Sequence, residues 1–107
     1  MPDDSKFWTL GRWHAKPGNA AAFRDAWEDF ASWTVAQQVG ARDGYLLQDD
    51  SDPDLFYSFG PWRDIEAVTA WRSTPEFGAF VAKVRDLCDS FEPHSLQLVA
   101  HLAPQAS

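Results

Sequence analysis

The apolar residues of this chain switch between strand and helix spacing in a fixed order, and that order leaves few folds open. "FWTLGRWH", residues 7 to 14, alternates Phe7, Thr9, Gly11 and Trp13 against Trp8, Leu10, Arg12 and His14, as a strand does. "KPGN" breaks it, with Gly18 suited to a turn and Asn19 to a helix cap. From Ala20 to about Gln38 the period becomes helical, with Phe23, Ala26, Trp27, Phe30 and Trp33 on one stripe and Gly40 as the stop. "GYLLQ" at 44 to 48 and "LFYSF" at 55 to 59 read as two strands of a hairpin around the acidic loop "DDSDPD". Gly60-Pro61 is expected to end the second of them, since proline has no amide hydrogen for a ladder. Asp64 caps the helix "IEAVTAWR", and Thr74-Pro75-Glu76 opens another. The stripe Phe77, Phe80, Val81, Val84, Leu87, Cys88, Phe91 carries that helix toward a stop at Pro93. "HSLQLVAHL", 94 to 102, is then the last strand, with Leu96, Leu98, Ala100 and Leu102 on one face and "APQAS" as a tail.

Strand, helix, strand, strand, helix, strand is the split βαβ order. It predicts an α+β, ferredoxin-like βαββαβ domain: a four-stranded antiparallel sheet with helices on one face, a single unit over residues 1 to 107 with its ordered core at about 7 to 102. The second face of such a sheet meets water or a partner. Here it would carry Trp8, Leu10, Tyr57 and Phe59, a surface too apolar to stand bare, so a homodimer is expected.

The charge narrows the partners. With 9 basic against 16 acidic residues the net charge is −7, which opposes non-specific binding to nucleic acid or to an anionic membrane. No apolar run approaches the roughly 20 residues of a membrane span. "MPDDSKF" lacks the basic and apolar regions of a secretory signal, so the cytosol is the expected compartment. Cys88 is the one cysteine; it cannot form a disulfide within the chain, and it reads as an inert core thiol.

Three stretches, "GRWHAKPGNAAAFRDAW", "DGYLLQDDSDPDLFYSFGPWRDIEAVTAW" and "STPEFGAF", together make the chain resemble the antibiotic biosynthesis monooxygenase domain, one of the dimeric α+β barrel families. The resemblance covers about residues 7 to 102. It implies a pocket between sheet and helices, with Trp62 matching the pocket-lining Trp of the branch that forms polyketide quinones; that branch has Asn where this chain has Ser58. The haem-degrading branch uses an Asn, a Trp and a His. Trp71 matches the Trp, but Gly11 and Val81 stand at the other two positions, so the resemblance does not extend to haem chemistry.

The residues themselves offer a slot and few polar groups. There is no nucleotide-binding loop, and His14, His94 and His101 have no partner at the spacing of a metal motif, so neither cofactor nor metal is expected. Gly11, Trp13, Trp62, Trp71, Phe77 and Phe80 are the candidate walls of a pocket for a flat ligand. Trp62 and Trp71 read equally well as core. His101 and Ser58 are the candidate catalytic residues, the former because it is out of phase with the leucines of the last strand; Arg12 is a further polar candidate. His14 and His94 read as solvent-facing. Cofactor-independent oxygenation asks little more of a protein than this: an aromatic slot, hydrogen bonds to a substrate anion and exclusion of water. The function expected is a monooxygenase acting on a small aromatic compound of the polyketide or quinol type; the alternatives are a non-catalytic module that binds a small hydrophobic ligand and a structural dimer with a filled interior. A cavity of at least ~300 Å³ separates the first two from the third.

Overall fold

A computed structural model describes residues 6 to 105. Its elements are β1 (Phe7–Ala15), α1 (Ala20–Gln37), β2 (Tyr45–Gln48), β3 (Leu55–Trp62), α2 (Ile65–Arg72), α3 (Pro75–Arg85) and β4 (Cys88–Gln97). The four strands form one antiparallel sheet in the order β2-β3-β1-β4. The fold is therefore the ferredoxin-like α+β fold that the order of periods predicts. No helix among the described residues is long and apolar enough to cross a membrane.

Local chemistry sets most boundaries. Gly18 and Gly40 take positive φ, +86° and +89°, at the turns before and after α1. Asn19 occupies the position before α1, but its side chain makes no capping bond. Asp64 does cap α2, its carboxylate accepting from Ala67 N at 2.8 Å; that bond and a stronger one from Arg63 hold the carboxyl below its usual range. Thr74 Oγ1 accepts from Phe77 N at 3.1 Å, with Pro75 at the first helical position of α3.

Two prolines do not break strands where the sequence suggests. Pro61 lies inside β3, paired with Trp8 of β1. It is tolerated because the regular β2 ladder reaches only the Tyr45–Phe59 pair; past it the far side of β3 keeps a single bridge, Ala41 to Trp62, which does not involve Pro61. Pro93 lies inside β4, paired with Gly11, and β4 is an edge strand with a neighbour on one side only. The last helix is correspondingly shorter and the last strand earlier than the periodicity implies. α3 stops at Arg85, where Asp86 N and Leu87 N bond back to Ala82 and Val84, and Cys88 pairs with Ala15 across a bulge in the register. Leu87, Cys88 and Phe91 satisfy helical spacing by coincidence; Leu87 lies in the turn after α3, and pairing with β1 takes Cys88 and Phe91 into the sheet. Residues 98 to 105 lie beyond the strand.

The register divides the residues between the two faces of the sheet. Toward the helices point Trp13, Phe56 and Phe91 in one cross-strand row, Gly11, Ser58 and Pro93 in the next, and Thr9, Gly60 and Ser95 in a third. Trp13, Phe56 and Trp62 are buried there with Phe23, Ala26 and Phe30 of α1, Val68 and Trp71 of α2 and Val84 of α3. The opposite face carries Trp8, Leu10, Tyr57 and Phe59, joined by Tyr45, Leu47 and Leu96. Arg12 on this face lies 4.0 Å from Glu92 of β4. His14 is tied down rather than free: its Nε2 is 3.0 Å from Asp52 Oδ2 in the acidic loop. Cys88 is buried, and desolvation first, then the Asp89 charge, push its thiol up to about 11, leaving it protonated and inert at neutral pH.

Gly60 is fixed by close approach: a Cβ there would run into the backbone carbonyl of Asp43, where the chain entering β2 crosses β3. Gly60→Ala should cost about 1–3 kcal/mol, as overpacking against unyielding backbone does. A thermal melt should show Tm lowered by roughly 5–15 °C.

Candidate functional site

Gly11 organises the helix-facing side of the sheet by lacking a side chain. Trp13 sits one row away on the same strand, and its indole lies back across Gly11 to donate from Nε1 to Ser58 Oγ at 2.9 Å. A Cβ on residue 11 would stand 2.8 Å from that nitrogen, 2.9 Å from the Ser58 oxygen and 3.1 Å from the Phe91 ring. Phe91, opposite Trp13 on β4, stacks on the indole at 3.8 Å and 19°. Trp13 is 2% exposed, so this stack cannot swing away. Ser58 is thereby held with its oxygen accepting from the indole, and its own O–H remains to donate.

Beside this arrangement lies a cavity of about 400 Å³ between β1 and β4 below and α2 and α3 above. Gly11, Trp13, Ser58, Trp71, Phe77, Val81 and Phe91 line it, with Thr9, Phe30, Arg72, Arg85 and Ser95. That volume lies within the ~300–1,000 Å³ of small-molecule sites. A second, smaller cavity of about 70 Å³ lies toward α1 and β2; it shares Thr9, Phe30, Ser58 and Trp71 and adds Trp27 and Trp62.

Of the residues expected at a site, the structure brings Gly11, Trp13, Ser58, Trp71 and Phe77 to the larger cavity. Trp62 lines the smaller one, 4% exposed, with its Nε1 donating to Thr9 Oγ1 at 3.1 Å. Phe80 packs on Phe30 and Trp33 at 5.9 and 5.3 Å and lines neither. His101 is exposed in the segment after β4. Its expected inward phase depended on a strand running to residue 102, and β4 ends at Gln97.

Trp71 is core and wall together. It is 8% exposed, stacked on Phe30 at 5.6 Å and 12°, in edge contact with Phe77 at 4.7 Å, and 4.7 Å from the Trp62 ring. Its Nε1 donates to Thr34 Oγ1 at 3.0 Å, and that hydroxyl donates to Phe30 O at 2.9 Å. Truncating Trp71 would therefore collapse packing and wall at once. Two wall residues are not singled out by the sequence: Phe91, because 88 to 91 carries a helical stripe, and Ser95, which lies within the expected last strand in the inward phase that drew attention to His101 instead. Nor are Arg72 and Arg85, which lie at helix ends where a cation ordinarily serves only the helix.

The cavity is dry in its polar chemistry. Ser58, Thr9 and Ser95 offer hydroxyls, and the charged residues lining it are both arginines. Among the described residues no cluster of three or more His, Cys, Asp or Glu could hold a metal. The site can bury a flat aromatic body and donate hydrogen bonds to an oxygen on it. Gly11→Ala should break the Trp13–Ser58 bond, because the stacked indole has nowhere to retreat. Near-ultraviolet circular dichroism should lose the contribution of the Trp13–Phe91 stack, with a cost of about 1–3 kcal/mol in a denaturant melt.

Among curated proteins none matches the chain in sequence. Among solved structures, SnoaB, a cofactor-independent oxygenase from Streptomyces nogalater, superposes with a TM-score of 0.82 at 19% identity, covering 94% of this chain and 99% of that one. A conserved protein from Methanosarcina mazei gives 0.80 at 14%, covering 89% and 94%. PA3566 from Pseudomonas aeruginosa gives 0.75 at 23%, covering 94% and 100%. At these identities the likeness carries the fold alone. The family model for antibiotic biosynthesis monooxygenase matches residues 7–83, from the first strand through most of α3, and by that match the chain belongs to the antibiotic biosynthesis monooxygenase family.

Proposed function

We propose that the protein is a cofactor-independent monooxygenase acting on a small, flat aromatic compound of the phenol or quinol type, as a homodimer. The observation that supports this reading is the cavity itself: about 400 Å³, aromatic on its walls, with the Ser58 oxygen accepting from Trp13 and its O–H left to donate. An electron-rich phenol or anthrone bound there loses a proton, and its anion reduces oxygen directly. One oxygen atom enters the ring carbon, the other leaves as water, and the ring carbon is oxidised to the quinone carbonyl. Ser58 stabilises the anionic oxygen, and the stacked rings keep water from it.

Among the described residues no Asp, Glu or His lines the cavity, and in this reading the substrate proton passes to solvent at the open mouth. The same observation favours a second reading, a module that binds such a ligand without turning it over. Oxygen uptake separates the two. With an anthrone substrate the protein should consume oxygen well above the spontaneous rate, and Ser58→Ala should lower that rate by roughly 10²-fold, as loss of one donor to a developing oxyanion does. Binding of the anthrone with no acceleration leaves the second reading.

The dimer rests on the open face of the sheet. Tyr45, Leu47 and Leu96 are 44%, 55% and 44% exposed there beside Trp8 and Phe59, whose rings lie 6.4 Å apart. Packing two such faces, as sheets stack in sandwiches, covers the apolar patch on both. Light scattering should give twice the 12.1 kDa chain mass at micromolar concentration; a stable monomer there would remove the dimer from the reading.

A further inference from the structure

The smaller cavity has no part in holding the ring, yet it reaches some of the same residues. It lies toward α1 and β2 at about 70 Å³, whereas the larger one lies toward α2, α3 and β4. Phe30 and Trp71 from the helices and Thr9 and Ser58 from the sheet line both. One layer of side chains therefore separates the two spaces, and Ser58 stands in that layer. Val35, Arg42, Asp43 and Gly44 line the smaller cavity at exposed positions, so its mouth opens between the end of α1 and the start of β2.

Inside that mouth the walls are apolar. Trp27, Phe30 and Ala31 of α1 meet Pro61 and Trp62 of β3 and Trp71 of α2 there. The indole donors are already engaged: Trp62 Nε1 donates to Thr9 Oγ1 at 3.1 Å and Trp71 Nε1 to Thr34 Oγ1 at 3.0 Å. The Thr34 hydroxyl in turn donates to Phe30 O at 2.9 Å. A cavity holds ordered water by giving it several polar partners, and an apolar one stays dry or takes an apolar guest. At about 70 Å³ the space is well below the ~300 Å³ at which sites for ring-sized ligands begin, so it suits a guest of a few atoms.

We infer that the smaller cavity is a dioxygen site, filled from the α1–β2 side while the aromatic substrate occupies the larger one. The inference rests on the monooxygenase reading above and adds to it a separate place and path for the second substrate. Dioxygen is apolar and gains by leaving water for an apolar space. Held there, it lies one layer of side chains from a ring whose oxygen is at Ser58. For an anthrone, one atom of dioxygen bonds to the ring carbon, and the other leaves as water with the two hydrogens that carbon gives up. No further reductant is needed.

Two plugging variants and one probe test this. Ala31→Leu adds bulk from within α1, where leucine is a good helix former. Gly44→Val adds it at the mouth, where a Cβ would meet nothing closer than Trp27 at 4.0 Å. With anthrone as substrate, each variant should lower kcat/KM for oxygen by roughly tenfold and leave kcat/KM for anthrone, at saturating oxygen, within about twofold. A thermal melt close to that of the parent verifies that they fold. Crystals of the parent held under xenon should show the atom between Ala31 and Trp62, a measurement that needs neither variant. Xenon absent from that cavity, or variants that slow both substrates equally or neither, overturns the oxygen site while the monooxygenase reading stands. A parent protein that binds anthrone and consumes no oxygen removes both.

Discussion

Strand β1 is paired along its whole length on both sides, with β3 from Phe7 to His14 and with β4 from Phe7 to Ala15. Almost everything else in the molecule takes its place from that double pairing. It fixes which residues of three strands share a row, and so puts Gly11 between Ser58 and Pro93, and Trp13 between Phe56 and Phe91. Because one strand carries both registers, a slip of one residue on either side would send Trp13 and Gly11 to the open face and empty the helix-covered one. The interior is built around a strand that has no freedom to move.

Gly11 turns that rigidity into a site. Its missing Cβ lets an indole from two residues along the same strand lie flat on the sheet, and the indole then holds the hydroxyl of the neighbouring strand. A larger residue at position 11 would fill the floor of the cavity and separate Trp13 from Ser58. The polar pole of the site thus depends on an absence of atoms, supported by an aromatic stack at 3.8 Å.

Much of the fold was legible in the sequence because its signals were redundant. The period of α1, the Asp64 and Thr74 caps and the alternation in β1 each pointed to the same order of elements, and the order fixed the architecture. The errors lay where one residue obeyed two rules. Pro61 and Pro93 punctuate a chain read in one dimension, but a proline interrupts a sheet only where a neighbouring strand needs its donor, and that depends on strands far away in sequence. Cys88 and Phe91 fit a helix and also fit a bulged strand, and pairing with β1 decided between them. Of the site, the aromatic walls could be anticipated from the resemblance and from their density. Arg72 could not, since nothing local distinguishes a cation at a helix end from one that reaches across to Ser95. His101 lies outside the site because its inward phase requires a strand to residue 102, and β4 ends at Gln97.

Pro93 has a bearing on how copies of the chain meet. A bare edge strand offers a row of amide donors and carbonyl acceptors on which any extended segment can be templated. On β4 that row is interrupted at its middle, since Pro93 contributes no donor. The other border of the sheet, β2, is only four residues long. Lateral growth of the sheet into ribbons or fibrils is therefore obstructed at both margins. The apolar surface lies on a flat face of the sheet and not at its margins, so any self-association is directed face to face and not edge to edge.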